Sequence, residues 1–268
     1  MEKGRSVLKE LQEKEQEMLV EWADILRQNK IPYFVACGTA LGTVRHKGFI
    51  PWDDDVDIYV FGKDYKRVKE ALLNKKDANI EFHDYSTQKN YPYCFPKVIA
   101  KNTLLEEGSV RYDEYSCGVY IDIFLLSEVS SNPVVRFFQE KRRYFNYALL
   151  RAYYYEYEGY RKVFSHLARL LVKPEKVQKK LVKCYERSVK EAKYVVDISG
   201  FKKNYFWEKT MFKESTTLPF NGMMVSVPKD YTGYLKHRYG DYMKYPPVEQ
   251  RTSGHNFISL IIDGRKII

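Results

Sequence analysis

Cys37-Gly-Thr-Ala-Leu-Gly-Thr-Val-Arg-His-Lys-Gly-Phe-Ile-Pro-Trp-Asp-Asp-Asp-Val-Asp-Ile-Tyr59 sets a Gly-Thr turn one helix and one loop ahead of a strand that carries Asp55 and Asp57. Side chains two apart on a strand share a face, so these carboxylates stand side by side and repel. A divalent cation is the usual counter-charge for such a pair. A metal beside a small, polar, glycine-containing turn makes a site suited to a phosphate chain. Asp53 falls on the same face and reads as a further ligand or a support for one. Asp54 should face the other way, as a solvated or capping residue.

Upstream of this stretch, residues 5–29 space Leu8, Leu11, Met18, Leu19, Trp22, Ile25 and Leu26 as the apolar stripe of an amphipathic helix, ended by Asn29-Lys30-Ile31-Pro32. Tyr33 to Ala36 form a short strand, Gly38-Thr39 turn out of it, and Thr39 caps a helix over 40–47. Gly48 to Trp52 are a loop stiffened by Pro51, leading to the strand at 54–60. Downstream, a helix over 63–76 turns Tyr65, Val68, Ala71 and Leu72 inward. A strand follows at 80–83, with strand-like pieces at 94–100 and 102–106. Gly118-Val-Tyr-Ile-Asp-Ile-Phe-Leu-Leu126 is β-branched and aromatic enough to be a central strand. Residues 1–128 therefore read as an α/β unit of alternating elements.

The pattern changes after Ser130-Ser131-Asn132-Pro133. Residues 133–193 read as three helices, broken near Gly159 and at Lys173-Pro174. Thr217 to Phe220 and Met223 to Val227 are strands joined by Asn221-Gly222, a strong hairpin signal, and Pro228-Lys-Asp opens a helix over 229–239. The chain thus divides into a catalytic core over 1–128, a basic, aromatic-rich helical segment over 129–195, and a C-terminal segment over 196–268 that packs back on the core.

With 268 residues and 44% apolar side chains the chain can build a substantial core. No apolar run approaches the ~20 residues needed to span a bilayer, and the N-terminus lacks the apolar core of a signal peptide. The expected location is cytoplasmic. Cys37, Cys94, Cys117 and Cys184 form no C-x-x-C pair and have no His at zinc spacing, so they read as buried, reduced thiols. The net charge of +10 is local: residues 133–193 hold 16 Lys and Arg against 6 Asp and Glu, while the remainder holds 29 of each sign. That favours a local contact with an anionic partner over a general nucleic-acid coat, and no nucleic acid is expected as a partner.

Asp122, flanked by Ile121 and Ile123, would be costly if simply buried. Beside the 54–60 strand it can join Asp55 and Asp57 in an oxygen-rich site suited to Mg²⁺ or Mn²⁺. Alternatively it pairs with a core Lys or Arg. Gly38 and Thr39 offer backbone N–H groups and a hydroxyl at a helix N-terminus, which is either a phosphate cradle or an ordinary strand-to-helix turn. Arg45 can neutralise a phosphate, and Lys97, after Pro96, is a second candidate for such a contact. No G-x-x-x-x-G-K-[ST], G-x-G-x-x-G or G-x-S-x-G motif occurs.

Gly38-Thr-Ala-Leu-Gly-Thr-Val-Arg-His-Lys-Gly-Phe-Ile-Pro-Trp-Asp-Asp-Asp-Val-Asp57 strongly resembles the signature of the LicD family of phosphocholine transferases, relatives of the fukutin-type ribitol-phosphate transferases. Further similarity lies at Val119-Tyr-Ile-Asp-Ile-Phe124, Pro228-Lys-Asp-Tyr, Tyr239-Gly-Asp-Tyr-Met, Pro246-Pro247 and His255, with 129–215 matching least. The resemblance implies a nucleotidyltransferase-like mixed sheet flanked by helices, with an added helical segment. Gly38-Thr39 stands where that superfamily has Gly-Ser or Gly-Gly. Asp55 and Asp57 match the paired metal ligands and Asp122 the third carboxylate. The family implies CDP-choline as donor, a hydroxyl of a lipid-linked teichoic acid or surface-glycan precursor as acceptor, and release of CMP.

A choline head group needs an aromatic cage, for which Trp52 beside the carboxylates is the best single candidate, although it can equally be core. Asp122 is the candidate base for the acceptor hydroxyl. The cations and aromatics of 133–193 suit an anionic membrane surface at the inner face of the membrane; the plainer alternative packs the aromatics inward. Rival functions are transfer of another phospho-alcohol or a nucleotide on the same fold, a D-x-D glycosyltransferase, and a non-enzymatic adaptor.

Overall fold

The computed structural model describes residues 2–108, 115–155, 157–198 and 205–268, with side chains from Val7 onward. Helix α1 (Glu2–Gln28) buries Leu11, Met18, Leu19, Trp22, Ile25 and Leu26, the stripe that its spacing predicts. Lys30 then takes a left-handed φ of 53° and Ile31-Pro32 leads away from the helix. Strand β1 (Phe34–Val35) feeds directly into α2 (Cys37–His46), which begins earlier than the 40–47 read from sequence. Strand β2 (Val56–Phe61) is buried along its whole length, and α3 (Tyr65–Asn74) packs Val68, Ala71 and Leu72 inward.

Among the described residues the main sheet runs β1, β2, β6 (Tyr120–Val129), β4 (Lys97–Ala100), β3 (Ile80–His83). Strand β6 is ten residues long and serves two neighbours on one side. Its first half pairs with β4; its second half pairs with β7 (Tyr194–Asp197), which carries β8 (Phe206–Glu208) at its outer edge. The β2–β6 pair is parallel and the other pairs are antiparallel, so the sheet is mixed and the fold is α/β as expected. Pairing is set by the apolar runs: β2 and β6 are buried on both faces, as central strands must be.

The basic segment folds as α4 (Pro133–Tyr154), α5 (Arg161–Leu171) and α6 (Pro174–Tyr185), with breaks where Gly159 and Pro174 predict them. Asn132 caps α4 by accepting the N–H groups of Val134 and Val135. After it, β9 (Ser215–Phe220) and β10 (Met223–Pro228) form the hairpin, with Asn221 and Gly222 both at positive φ (43° and 84°), as a type I′ turn requires. The hairpin tip rests on the loop after α2: Asn221 N–H donates to Lys47 O at 2.8 Å. A Cβ on Gly48 would lie 1.8 Å from Asn221 Oδ1, so any other residue there would have to push the Asn221 side chain aside. Helix α7 (Tyr231–Tyr239) follows, and β11 (Phe257–Ile262) pairs with β5 (Thr103–Glu107) on one side and β12 (Arg265–Lys266) on the other. The three segments distinguished in the sequence are thus interleaved: strands from beyond 190 complete sheets begun before 130.

Candidate active site

The register of the central strands builds the site. Asp57 on β2 is the register partner of Asp122 on β6, which is in turn the partner of Lys97 on β4. One row across three strands therefore reads Asp, Asp, Lys on one face. Asp57 and Asp122 are each only 6% exposed. Asp55 lies one residue before β2, not within it, and is half-buried. Burial pushes the Asp55 carboxyl up to about 6, with the Asp122 charge adding to it and the His255 cation opposing. Asp57 lies well above the carboxylate range because of burial first, then Asp55 and Asp122. Asp122 is raised too, burial outweighing the Lys97 ammonium.

Lys97 answers the choice left open for Asp122. Its Nζ sits 2.6 Å from Asp122 Oδ1, with 1% of the residue exposed, so Asp122 both joins the acid row and pairs with a core lysine. The ammonium lies 3.2 Å from the Tyr120 ring centroid and 4.2 Å from that of Tyr93. Burial alone would depress it; Asp122 raises it, which holds it charged. A direct phosphate contact, the role expected for Lys97, would have to share this ammonium with Asp122.

Two further acids face the row. Asp53 is pushed up to about 8 by burial and by Asp55 and Asp54. It sits over the first turn of α2: a Cβ on Gly38 would meet Asp53 Oδ2 at 2.5 Å. A side chain at position 38 would therefore have to displace the Asp53 carboxylate. Glu15, from α1, is 1% exposed and its Oε2 has no hydrogen-bond partner. Its carboxyl is raised well above the usual range by burial, then by Asp55, Asp54, Asp53 and Asp57. Sequence reading missed it. The signal was there: Glu15 lies on the apolar stripe of α1, four residues after Leu11 and three before Met18.

Asp54 departs from expectation. It is 2% exposed, not solvated, and accepts from Gly254 N (3.2 Å), His255 N (3.1 Å) and His255 Nδ1 (3.1 Å). It fastens the loop before β11 over the acids. Burial pulls the His255 imidazole down, but Asp54, Asp55 and Glu107 outweigh it and raise it to about 9. Ligand atoms of Asp54, Asp55 and His255 lie within 4.8 Å of one another. Asp54 already accepts three hydrogen bonds from this loop, two from backbone amides and one from the His255 ring. This trio is better read as the latch of the site than as its metal set.

Thr39 also differs from its expected role. It is inside α2, 2% exposed, with its Oγ1 accepting the Asp57 N–H at 2.8 Å; its carbonyl accepts Thr43 Oγ1. The hydroxyl oxygen therefore ties α2 to the acid strand as an acceptor, while its own proton is left to donate elsewhere. Ala36, extended at φ −123°, precedes the helix without a side-chain cap. Cys37 N–H donates to Tyr234 Oη of α7 at 3.0 Å, and the Gly38 and Thr39 amides follow in the first turn, where N–H groups have no helical acceptor. Arg238 Nη2 lies 3.2 Å from Cys37 Sγ, so α7 holds this helix end, while Tyr59 Oη donates to Asp197 Oδ2 at 2.6 Å and ties β2 to β7. Cys37, Cys94 and Cys117 are buried and Cys184 half-buried, all as free thiols.

Arg45 and Trp52 are brought together, around a cavity of about 390 Å³ that Leu41, Ile50, Tyr242 and Tyr245 help to line. Arg45 Nη1 donates to Tyr242 O at 3.0 Å and its guanidinium lies 4.6 Å from the Tyr245 ring centroid. Arg251 lies 5.5 Å from the Trp52 ring centroid and 5.3 Å from that of Tyr245. Trp52 thus packs under an arginine, which is poor company for a choline cation. Arg45 is among the charges felt by Asp53, so the cavity adjoins the acids.

The donor set is all oxygen, negatively charged and largely buried, with Lys97 and His255 its nearest cations. A donor set of this kind could hold a hard divalent cation such as Mg²⁺ or Mn²⁺, with Asp55, Asp57 and Asp122 among the residues that could ligate it.

Residues 30–152 match the family described as LicD/FKTN/FKRP, nucleotidyltransferase domain. The chain is 28% identical over 248 residues to the lipopolysaccharide cholinephosphotransferase LicD of Haemophilus influenzae, covering 84% of this chain and 87% of that protein. Over 56 residues it is 38% identical to an uncharacterized protein of Rickettsia prowazekii (21% of each chain) and 42% identical to one of Rickettsia typhi (21% of this chain, 18% of that protein). The chain is thus similar to the LicD family, most clearly over residues 30–152.

Proposed function

We propose that this protein is a metal-dependent phosphocholine transferase. The donor is CDP-choline, the acceptor a hydroxyl of a lipid-linked teichoic acid or other surface-glycan precursor, and the second product CMP. The observation that carries the reading is the row Asp57–Asp122–Lys97 across three strands, set beside the first turn of α2. Support for the substrate class comes from the relative named as a lipopolysaccharide cholinephosphotransferase.

The transfer forms a bond from the acceptor oxygen to phosphorus and breaks the bond to the CMP oxygen, which leaves with the electron pair. Such chemistry asks for charge neutralisation and positioning more than for covalent catalysis. A bound divalent cation would supply the neutralisation on Asp55, Asp57 and Asp122. Asp122, ion-paired with Lys97 at 2.6 Å, is the group proposed to take the acceptor proton. The amides of Gly38 and Thr39 at the α2 N-terminus would face donor phosphate oxygens. The arginine-and-aromatic cavity of Arg45, Trp52 and Tyr245 suits the flat base and phosphate of the cytidylyl half, not the choline. No helix among the described residues is long and apolar enough to cross a membrane.

Calorimetry with Mg²⁺ and CDP-choline, CDP-ribitol, a UDP-sugar or ATP tests the reading. Binding of CDP-choline ahead of the others, lost in Asp57→Asn, is expected. Preference for a UDP-sugar would move the protein to glycosyl transfer, and preference for CDP-ribitol would change the group transferred.

A further inference from the structure

Helix α5 turns its bulk outward. Small Ser165 and Ala168 face the protein and are buried, and Ser165 Oγ donates to Ala152 O at 2.7 Å, seating the helix on the end of α4. Val163, Phe164, Leu167, Leu170 and Leu171 recur at helical spacing on the opposite side, and all are exposed, Leu170 by 80% and Leu171 by 79%. Helix α4 exposes a row of its own, Val134, Phe138 and Phe145. Of the 21 exposed large apolar side chains among the described residues, 12 fall between Val134 and Leu171, so these two helices and the turn between them carry more than half of them.

Cations flank these rows. Lys141, Arg142, Arg161 and Lys162 are all exposed. Residues 161–173 carry four Lys and Arg and no acid. A second copy of the same face would bring like charges together, which disfavours self-association there. An anionic lipid surface answers both features at once: acyl chains for the apolar crest, phosphates for the cations.

We propose that α5 and the outward row of α4 dock this protein on an anionic bilayer. Helix α5 lies in the interface plane, with Phe164, Leu167, Leu170 and Leu171 among the acyl chains and the flanking Lys and Arg on the headgroups. The docking stands on this surface alone; only its use, to bring the carboxylate site to a lipid-linked acceptor, rests on the transferase reading.

Co-sedimentation of the full chain with vesicles tests it without any catalysis. Vesicles of phosphatidylglycerol in phosphatidylcholine should bind at least about tenfold more tightly than phosphatidylcholine alone, and added salt should weaken the binding. Leu170→Glu with Leu171→Glu should weaken it at least about tenfold with an unchanged thermal melt, since both side chains are solvated in the free protein. Arg161→Glu with Lys162→Glu should remove most of the salt dependence. The proposal is overturned if the parent ignores phosphatidylglycerol vesicles or if the double leucine variant binds as well as the parent. It is equally overturned if light scattering finds a dimer that the leucine substitutions dissociate.

Discussion

Cation binding at the acid cluster should release protons, and the structure sets how many. The carboxyl of Asp53 is held at about 8 and that of Asp55 at about 6, against an ordinary 3.8, and Asp57 and Glu15 lie well above the carboxylate range. At about pH 6.5 the folded, metal-free protein keeps protons that the unfolded chain has lost. Folded values above unfolded ones mean that the stability tied to these groups is full below about pH 4 and is lost as pH rises through about 6 and then about 8. Each retained proton gives a slope of about −1.4 kcal/mol per pH unit, and the steps belong to the coupled group as a whole. Carboxylates must be ionised to hold a cation, so Mg²⁺ binding at about pH 6.5 should release about one to two protons. Calorimetry in two buffers of different ionisation enthalpy counts them. Asp53→Asn removes its own share, leaves His255 in place, and should reduce the release by about one. Binding without proton release, or a release that Asp53→Asn leaves unchanged, would refute the electrostatic account of the cluster.

Other substitutions probe the supports of the site. Lys97→Met strands Asp122 without its buried partner at 2.6 Å and should cost about 3–5 kcal/mol in urea unfolding, most of it recovered by adding Asp122→Leu. Gly38→Ala drives a methyl to within 2.5 Å of Asp53 Oδ2; the fold should survive, while Mg²⁺ affinity by calorimetry falls about tenfold. Asp54→Ala frees the amides of Gly254 and His255 and should lower stability by about 1–3 kcal/mol, with faster amide exchange confined to residues 253–257.

The sequence carried the parts of this fold that repeat with a period. The stripe of α1, the apolar runs of β2 and β6, the Asn221-Gly222 turn and the breaks at Gly159 and Pro174 could all be read from local pattern, because burial and turn chemistry act over a few residues. Placing Asp122 beside Asp57 needed only the guess that two apolar strands adjoin. What stayed hidden was long-range. Nothing local says that Asp54 would be claimed by a loop 200 residues on, or that the Thr39 hydroxyl oxygen would accept the Asp57 amide. Glu15 was visible as one acid on an apolar stripe, yet its meaning came only when α1 was laid across the acids. The basic helical segment shows the same limit. Its composition fits either an inward or an outward aromatic face, and the structure divides it: Leu150 and Tyr154 pack inward while Phe138, Phe145 and the crest of α5 stay outside.

The central claim is that this acid row transfers phosphocholine from a cytidylyl donor. The most direct measurement is CMP formation from CDP-choline by the full chain with Mg²⁺ and a glycan-phosphate acceptor, beside the same protein in EDTA and its Asp57→Asn variant. The account predicts CMP in step with phosphocholine on the acceptor, abolished by EDTA and lowered by at least about a thousandfold in Asp57→Asn. Undiminished turnover by Asp57→Asn, or CMP formation indifferent to EDTA, would contradict it.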